Sequence, residues 1–266
     1  MAKNKRTICP NCGASYDALL SRCPYCHRPN DDRPPSRMMF LPIPFQISFF
    51  LIGLLGINLL AVIYTIIFQQ ATAGDSVYRS LVVNSITYVT LFVADICVGM
   101  KYYYEFLKPF SKGRTYIAGL SGGALLIASS IVIGLIMHAI VPQAGTGENQ
   151  SVAVQMVIKN PVVCIFVLGI MGPFVEECAY RVGLFSLCKR ASTILAYIVT
   201  MAVFTIIHLD FFSGNIVNEL VALPDYLFAA GIFCVLYHRE GFGAAFIAHC
   251  LNNLYSVIMI IMTNGQ

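Results

Sequence analysis

Residues 43–68 read IPFQISFFLIGLLGINLLAVIYTIIF and contain no charged side chain. A stretch of about 20 apolar residues is long enough to cross the hydrocarbon core of a bilayer as a helix. Further stretches of this kind lie at 79–102, 115–141, 160–187, 191–209, 220–237 and 242–262. Lipid offers no partner for open backbone groups, and no stretch alternates as barrel strands do. The sequence therefore predicts an all-α polytopic membrane protein with about seven transmembrane helices.

The composition of the whole chain points the same way. Apolar residues make up 58% of the chain, charged residues make up 11%, and the mean hydropathy is +0.73. A soluble domain is about half apolar and a quarter charged, so this chain has too few charges to cover a surface in water. This excludes a soluble globular enzyme, a disordered protein and a secreted disulfide scaffold. The lipid bilayer is the expected environment, and no nucleic-acid partner is expected.

The N-terminal tail differs from the apolar body. The formal net charge of +4 lies within residues 1–37, and the end of this segment, HRPNDDRPPSR at 27–37, is polar and rich in proline. Such a composition is typical of a linker. We divide the chain into a small module at 1–28, a linker at 29–40 and a transmembrane helical domain at 41–266.

The distribution of Lys and Arg predicts how the chain lies in the membrane. These residues concentrate in the tail and in every second connection after it, as Lys101, Lys108, Lys112, Arg114, Lys189, Arg190 and Arg239. The alternate connections, 69–78, 142–159 and 210–219, carry mainly acidic residues. Cytoplasmic connections are enriched in Lys and Arg. The sequence thus predicts an integral, multi-pass membrane protein with a cytoplasmic N-terminus.

Four cysteines in the tail have the spacing of a metal site. They form two Cys-x-x-Cys knuckles, Cys9 with Cys12 and Cys23 with Cys26. Two knuckles complete a tetrahedral four-sulfur site, which predicts a zinc-ribbon module with structural Zn²⁺. Two disulfides or an unstructured tail are the alternatives, and a cytoplasmic location argues against disulfides. A closed four-sulfur site leaves the metal no open position for catalysis, so the module could stabilise the protein or dock a cytoplasmic partner. His27, which follows Cys26, is interpreted as a surface residue.

The first polar group inside the body is formed by Glu176, Glu177 and Arg181. Ionisable side chains are expensive in a membrane and indicate a functional site by default. Glu177 and Arg181 are four residues apart, so they share a helix face and can pair. Glu176 lies about 100° round the helix and is freer to act as a general base. A purely structural network is the alternative, but it would leave one acid in excess.

Two more polar groups follow on later apolar stretches. His208 is a lone histidine, and such a residue in an apolar helix is more often packed than functional. His249 and Asn253 share a helix face, and a pair of donors can stabilise an oxyanion. The same pair could instead join two helices by a hydrogen bond. Asp95 is a further acid within a span, with no partner visible in the sequence.

These motifs, in this order, resemble those of the CAAX protease and bacteriocin-processing (Abi) family, which includes type II CAAX prenyl endopeptidases. The motifs are Glu-Glu-x-x-x-Arg at 176–181, Phe-x-x-x-His at 204–208 and His-x-x-x-Asn at 249–253. The resemblance covers about residues 160–262, the protease-like core, and leaves the cysteine tail outside.

The resemblance implies a membrane-embedded glutamate-type endopeptidase that cleaves membrane-anchored peptides or protein C-termini and requires no cofactor at its catalytic site. The roles that it implies are water activation by Glu176 with His208, oxyanion binding by His249 and Asn253, and support by Glu177 and Arg181. Straight helices would place these groups at different depths, so we expect a kink or break at Gly172-Pro173 to bring them level.

Two other functions remain open at this point. A zinc metalloprotease could use Glu176, His208 and His249 as ligands, although the histidines lack a metal-binding spacing on one helix. A non-catalytic membrane immunity or scaffold protein could use the polar groups to bind a peptide or to hold helices together. A transporter is disfavoured, because no inverted repeat is evident.

Overall fold

A computed structural model describes residues 6–18, 20, 22–28, 30, 37–212 and 214–264. Most of the predicted linker, residues 29 and 31–36, lies outside the described residues. Residues 37–40 of that linker form a short 3-10 turn, in which Met38 and Met39 are buried against the body. In the tail, β1 (Arg6–Ile8) pairs antiparallel with β2 (Ser15–Asp17).

The body is a bundle of helices, as the sequence predicts. Its main helices are α1 (Ile43–Phe68), α2 (Ser76–Gly99), α3 (Gly113–Ile140), α4 (Glu148–Lys159), α5 (Pro161–Lys189), α6 (Thr193–Ile206), α7 (Ile216–Glu240) and α8 (Phe242–Asn264). Short helical turns at Met100–Tyr102, Tyr103–Leu107 and Lys108–Ser111 join α2 to α3. Six helices of the described chain are long and apolar enough to span a membrane, and α6 is a shorter apolar helix. The prediction of about seven transmembrane helices is confirmed.

Helix α6 is shorter than the stretch predicted at 191–209. The hydroxyl of Ser192 caps its N-terminus by accepting from the Leu195 N–H, and the helix ends at Ile206. His208 therefore lies on a turn just beyond the helix, where its own N–H donates to the Thr205 carbonyl. A full span would have carried this histidine to the far side of the bilayer, and the early stop keeps it inside the protein.

Helix α4 occupies most of the segment interpreted from the sequence as the connection 142–159. It is amphipathic and buries Met156 and Val157 against other body helices. Asn160 ends it and caps the next helix, accepting from the Val163 N–H, while Pro161 begins α5. Asparagine followed by proline is a normal helix start, because proline needs no N–H partner in the first turn.

Helix α5 carries both glutamates and does not break at Gly172-Pro173. It continues through the proline by widening into two π-helical stretches, Val167–Met171 and Glu177–Phe185. Both motif acids follow the first of these. π-Helical turns within α-helices are rare and frequent at functional sites.

Close packing brings α8, with His249 and Asn253, against the centre of the bundle. Gly119 and Gly123 of α3 face Ile247 and Leu251 of α8, and a Cβ at either glycine would lie 2.7 Å from its neighbour. The glycines are thus required by the close approach of the two helices, as is common in membrane bundles.

Candidate active site

The three polar groups of the sequence meet at one point inside the bundle. Oε2 of Glu176 lies 3.6 Å from Nε2 of His208 and 3.7 Å from Nε2 of His249. These distances are too long for direct hydrogen bonds. Glu176 is only 7% exposed, and its Oε2 has no hydrogen-bond partner among the described residues. Two helices and one turn thus direct a carboxylate and two imidazoles at a shared space.

The second nitrogen of each histidine ring fixes which nitrogen faces Glu176. Nδ1 of His208 lies 2.7 Å from the Phe204 carbonyl oxygen, and Nδ1 of His249 lies 2.9 Å from Oε1 of Glu177. Both partners can only accept, so each Nδ1 carries the proton in the neutral ring. Each Nε2 then presents a lone pair to the shared space when its ring is neutral.

Glu177 and Arg181 form a fully buried ion pair beside this space. Nη1 of Arg181 lies 3.1 Å from Oε1 of Glu177, and both side chains are inaccessible to solvent. The guanidinium carbon stacks 4.4 Å from the Phe204 ring centroid and 4.9 Å from that of Phe233. Such stacking stabilises a desolvated cation. Glu177 therefore links Arg181 to the ring of His249.

The side chain of Asn253 is held by the irregular part of α5. In the π-helical turn the Gly172 N–H donates to the Val167 carbonyl, five residues back. The next residue, Pro173, has no N–H to offer the Leu168 carbonyl. Nδ2 of Asn253 donates to that carbonyl instead, at 3.0 Å. An amide nitrogen carries two hydrogens, so one remains for another acceptor.

One further residue contacts the site, and another holds the turn that carries His208. The Tyr88 hydroxyl lies 3.5 Å from Oε1 of Glu176. Glu219, buried at the start of α7, accepts from the backbone N–H groups of Glu148 and Asp210 at 2.7 and 3.1 Å. Glu219 thus ties the His208 turn to α4. No local sequence pattern predicts these contacts, because Tyr88 lies far from Glu176 along the chain and Glu148 lies far from Glu219.

A cavity of about 710 Å³ connects this site to one face of the bundle. Its inner wall includes Glu176 and both histidines, and its outer wall includes Gly145, Thr146 and Asn149. Ser130 donates to Asp225 within the wall, at 2.6 Å. Buried polar groups facing a cavity of this size are the usual setting of a substrate site.

The segment that holds the three polar motifs is similar to a known family. Residues 158–255 match the family model described as Type II CAAX prenyl endopeptidase Rce1-like. We call this matching segment the Rce1-like domain. All seven motif residues lie within the matched segment, and the expected family resemblance is confirmed. At the level of the family, the match supports an intramembrane endopeptidase. No curated protein and no solved structure matches the chain.

Outside the Rce1-like domain, the four tail cysteines form a compact cluster. Their sulfur atoms all lie within 4.8 Å of one another and could hold a metal ion. Cys9 and Cys26 are 3.5 Å apart, and Cys12 and Cys23 are 3.6 Å apart. Sulfurs around a tetrahedral Zn²⁺ lie roughly 3.8 Å apart, given Zn–S bonds of about 2.3 Å. The donor set therefore fits zinc.

The two knuckles have matching backbone turns. The Gly13 N–H donates to the Cys9 carbonyl and the His27 N–H donates to the Cys23 carbonyl, both at 2.9 Å. Gly13 and His27 occupy the same left-handed position, with φ of 71° and 58°. His27 is exposed and is not part of the sulfur cluster. His27 occupies the turn position in the second knuckle that Gly13 occupies in the first.

The surroundings of the thiols change the pKa values of Cys26 and Cys12 in opposite directions. The backbone N–H of Arg28 and the side chain of Asn11 lower the pKa of Cys26 to about 6, which favours a thiolate. The Ala14 N–H also lowers the pKa of Cys12. Burial and the hydrogen bonds to the other thiols outweigh it and raise the pKa of Cys12 to about 12. Four thiolates this close repel one another until a cation joins them.

Proposed function

We propose that the Rce1-like domain is an intramembrane endopeptidase in which Glu176 activates a water molecule. The observation that carries this proposal is the convergence of Glu176 Oε2 with the Nε2 atoms of His208 and His249. A water in the shared space can bond to the carboxylate and to an imidazole lone pair. A carboxylate in a water-poor setting is a competent general base.

The reaction follows from the position of these groups. Glu176 and His208 hold the water, and Glu176 takes its proton as the oxygen attacks the carbonyl carbon of the scissile peptide bond. The C–N bond of the tetrahedral intermediate then breaks, and the proton passes from Glu176 to the departing amine. The products are one carboxylic acid and one amine, and no electron acceptor is needed.

The carbonyl oxygen becomes negative in the intermediate and needs donors. His249 can donate from Nε2 only when both its nitrogens carry protons, and Glu177 at its Nδ1 stabilises that imidazolium. The second hydrogen of the Asn253 amide supplies the other donor. Preorganised donors of this kind usually make the largest contribution to catalysis of acyl transfer. Arg181 in turn pairs with Glu177.

The substrate class follows from the location of the site. A cavity between membrane helices suits a peptide segment anchored in or next to the bilayer, such as a membrane-anchored peptide or a protein C-terminus. The name of the matched family includes prenyl endopeptidase. A lipid anchor on the substrate would be compatible with the apolar part of the cavity wall.

The function is tested by comparing new protein N-termini in membranes of cells that express the wild type or Glu176→Gln. We expect a set of N-termini that depends on the wild type and is absent with Glu176→Gln at equal protein abundance. The Glu176→Gln variant should also retain its uncut substrate through affinity purification. Identical N-termini in both cell lines would instead favour the non-catalytic immunity or scaffold protein.

A metal-dependent protease is the less favoured alternative. Glu176, His208 and His249 supply the ligand types of a catalytic zinc site. Among the described residues, however, the cluster with metal-binding geometry is the cysteine cluster of the tail. We propose that the tail binds one structural Zn²⁺ and docks a cytoplasmic partner.

Metal analysis separates these two sites. We expect about one zinc per chain in the purified protein, lost when Cys9 and Cys12 are both replaced by serine, because two ligands cannot hold a structural zinc. His208→Ala should keep its zinc. Mass spectrometry of metal content checks both variants, with Cys97→Ser as the matched control. Zinc that persists without the tail cysteines but disappears with His208→Ala would favour the metalloprotease.

A further inference from the structure

The cavity of the Rce1-like domain opens at one end of the helix bundle. Its outer wall is formed by residues 141 and 144–147, which follow α3, and by Asn149 of α4. Thr146 and Asn149 are exposed as well as lining the cavity, so this end is open. Asn218, near the start of α7, completes the rim and bonds to the Gly145 N–H.

Contacts between distant segments identify which end this is. Arg190, just after α5, donates to the Leu41 carbonyl and to the Gln46 side chain, so the end of α5 and the start of α1 share one face. Lys159, at the end of α4, pairs with Asp75 at 2.6 Å, so α4 and the 69–75 connection share the other. The cavity rim belongs to this second face, opposite the entry of the N-terminal tail into the body.

The two faces carry different charges. In the described part of the body, the tail face bears Lys101, Lys108, Lys112, Arg114, Lys189, Arg190 and Arg239. In the same described part of the body, the cavity face bears Arg79 and Lys159, and Lys159 pairs with Asp75. An excess of Lys and Arg marks the cytoplasmic face of a membrane protein.

We propose that the catalytic cavity is loaded from the extracytoplasmic face of the membrane. The substrates would then be peptide segments that leave the bilayer on that face, and the cysteine module would lie on the opposite side from the cleavage reaction. This inference rests on the proposed protease function for its substrate, but the direction of opening stands on the rim residues and the charges.

Cysteine labelling in intact cells tests the direction of opening. None of the described residues that line the cavity is a cysteine. Thr146→Cys therefore places a new thiol at the rim, and Ser111→Cys places a matched exposed thiol on the tail face. A membrane-impermeant maleimide should label Thr146→Cys in intact cells and Ser111→Cys only after permeabilisation, above the wild-type background. Labelling of Thr146→Cys only after permeabilisation would overturn the proposal.

A cleavage assay separates failure of this inference from failure of the protease function. Two single-span reporters carry the same substrate segment, taken from the N-termini found above, on opposite faces of the membrane. We expect cleavage of the extracytoplasmic reporter, at least tenfold reduced by a bulky maleimide on Thr146→Cys and unchanged by one on Ser111→Cys. Cleavage of the cytoplasmic reporter alone would overturn the direction while the protease stands. Cleavage of neither, with rim labelling as expected, would overturn the protease function alone.

Discussion

Glu176→Gln should lower kcat for peptide cleavage by about 100- to 10,000-fold, the usual contribution of a positioned general base. Glutamine keeps the shape of the side chain and its distance to His208 and His249, but an amide cannot take the proton of the attacking water. KM should change little, because glutamine fills the same place in the cavity wall as Glu176. Steady-state cleavage by the purified protein in detergent or liposomes, at a series of substrate concentrations, measures both constants.

Asp95→Asn is the matched control for this prediction. Asp95 is also a buried acid of a transmembrane helix, 1% exposed, but it does not line the cavity. The same change from carboxylate to amide should leave kcat within about twofold of the wild type. An equal loss of activity in both variants would mean that removal of any buried carboxylate impairs the protein, and Glu176 would lose its special role.

The sequence was most informative where polar residues interrupt apolar stretches. Glu176, His208 and His249 stand out because an ionisable group in a membrane span is energetically costly. Such a group therefore usually has a partner or a function. The cysteine knuckles stand out because two Cys-x-x-Cys pairs have the spacing of a tetrahedral four-sulfur metal site. In both cases the signal is local, and the structure brings together the residues that these signals identified.

Contacts between distant segments had no such signal. Helix α6 is as apolar as a spanning helix, but it ends at Ile206, and Glu219 holds the segment that follows through the Asp210 N–H. The expectation of a kink or break at Gly172-Pro173 did not foresee π-helical turns. At the first of these, Asn253, on another helix, donates to the Leu168 carbonyl, to which Pro173 cannot donate. Helix periodicity indicates which face a residue occupies, but not which helix lies opposite or at what depth.

The buried pair of Glu177 and Arg181 carries the second large prediction. Arg181→Met should destabilise the folded protein by about 3–5 kcal/mol, the usual cost of removing one partner of a buried ion pair. Methionine fills the space between Phe204 and Phe233 but leaves the charge of Glu177 uncompensated. The loss of stability is measured by heating the protein in detergent and monitoring the remaining soluble monomer by gel filtration.

A double variant shows whether charge, rather than packing, explains this loss. Glu177→Gln in the Arg181→Met background removes the uncompensated charge, and replacing a buried pair by neutral groups is often nearly neutral for stability. We therefore expect the double variant to recover most of the lost stability. It should not recover activity, because glutamine at 177 cannot stabilise a protonated His249. A double variant as unstable as Arg181→Met would show that Arg181 acts through its stacking with the aromatic rings. Recovery of stability together with full activity would show that Glu177 does not act on His249 during catalysis.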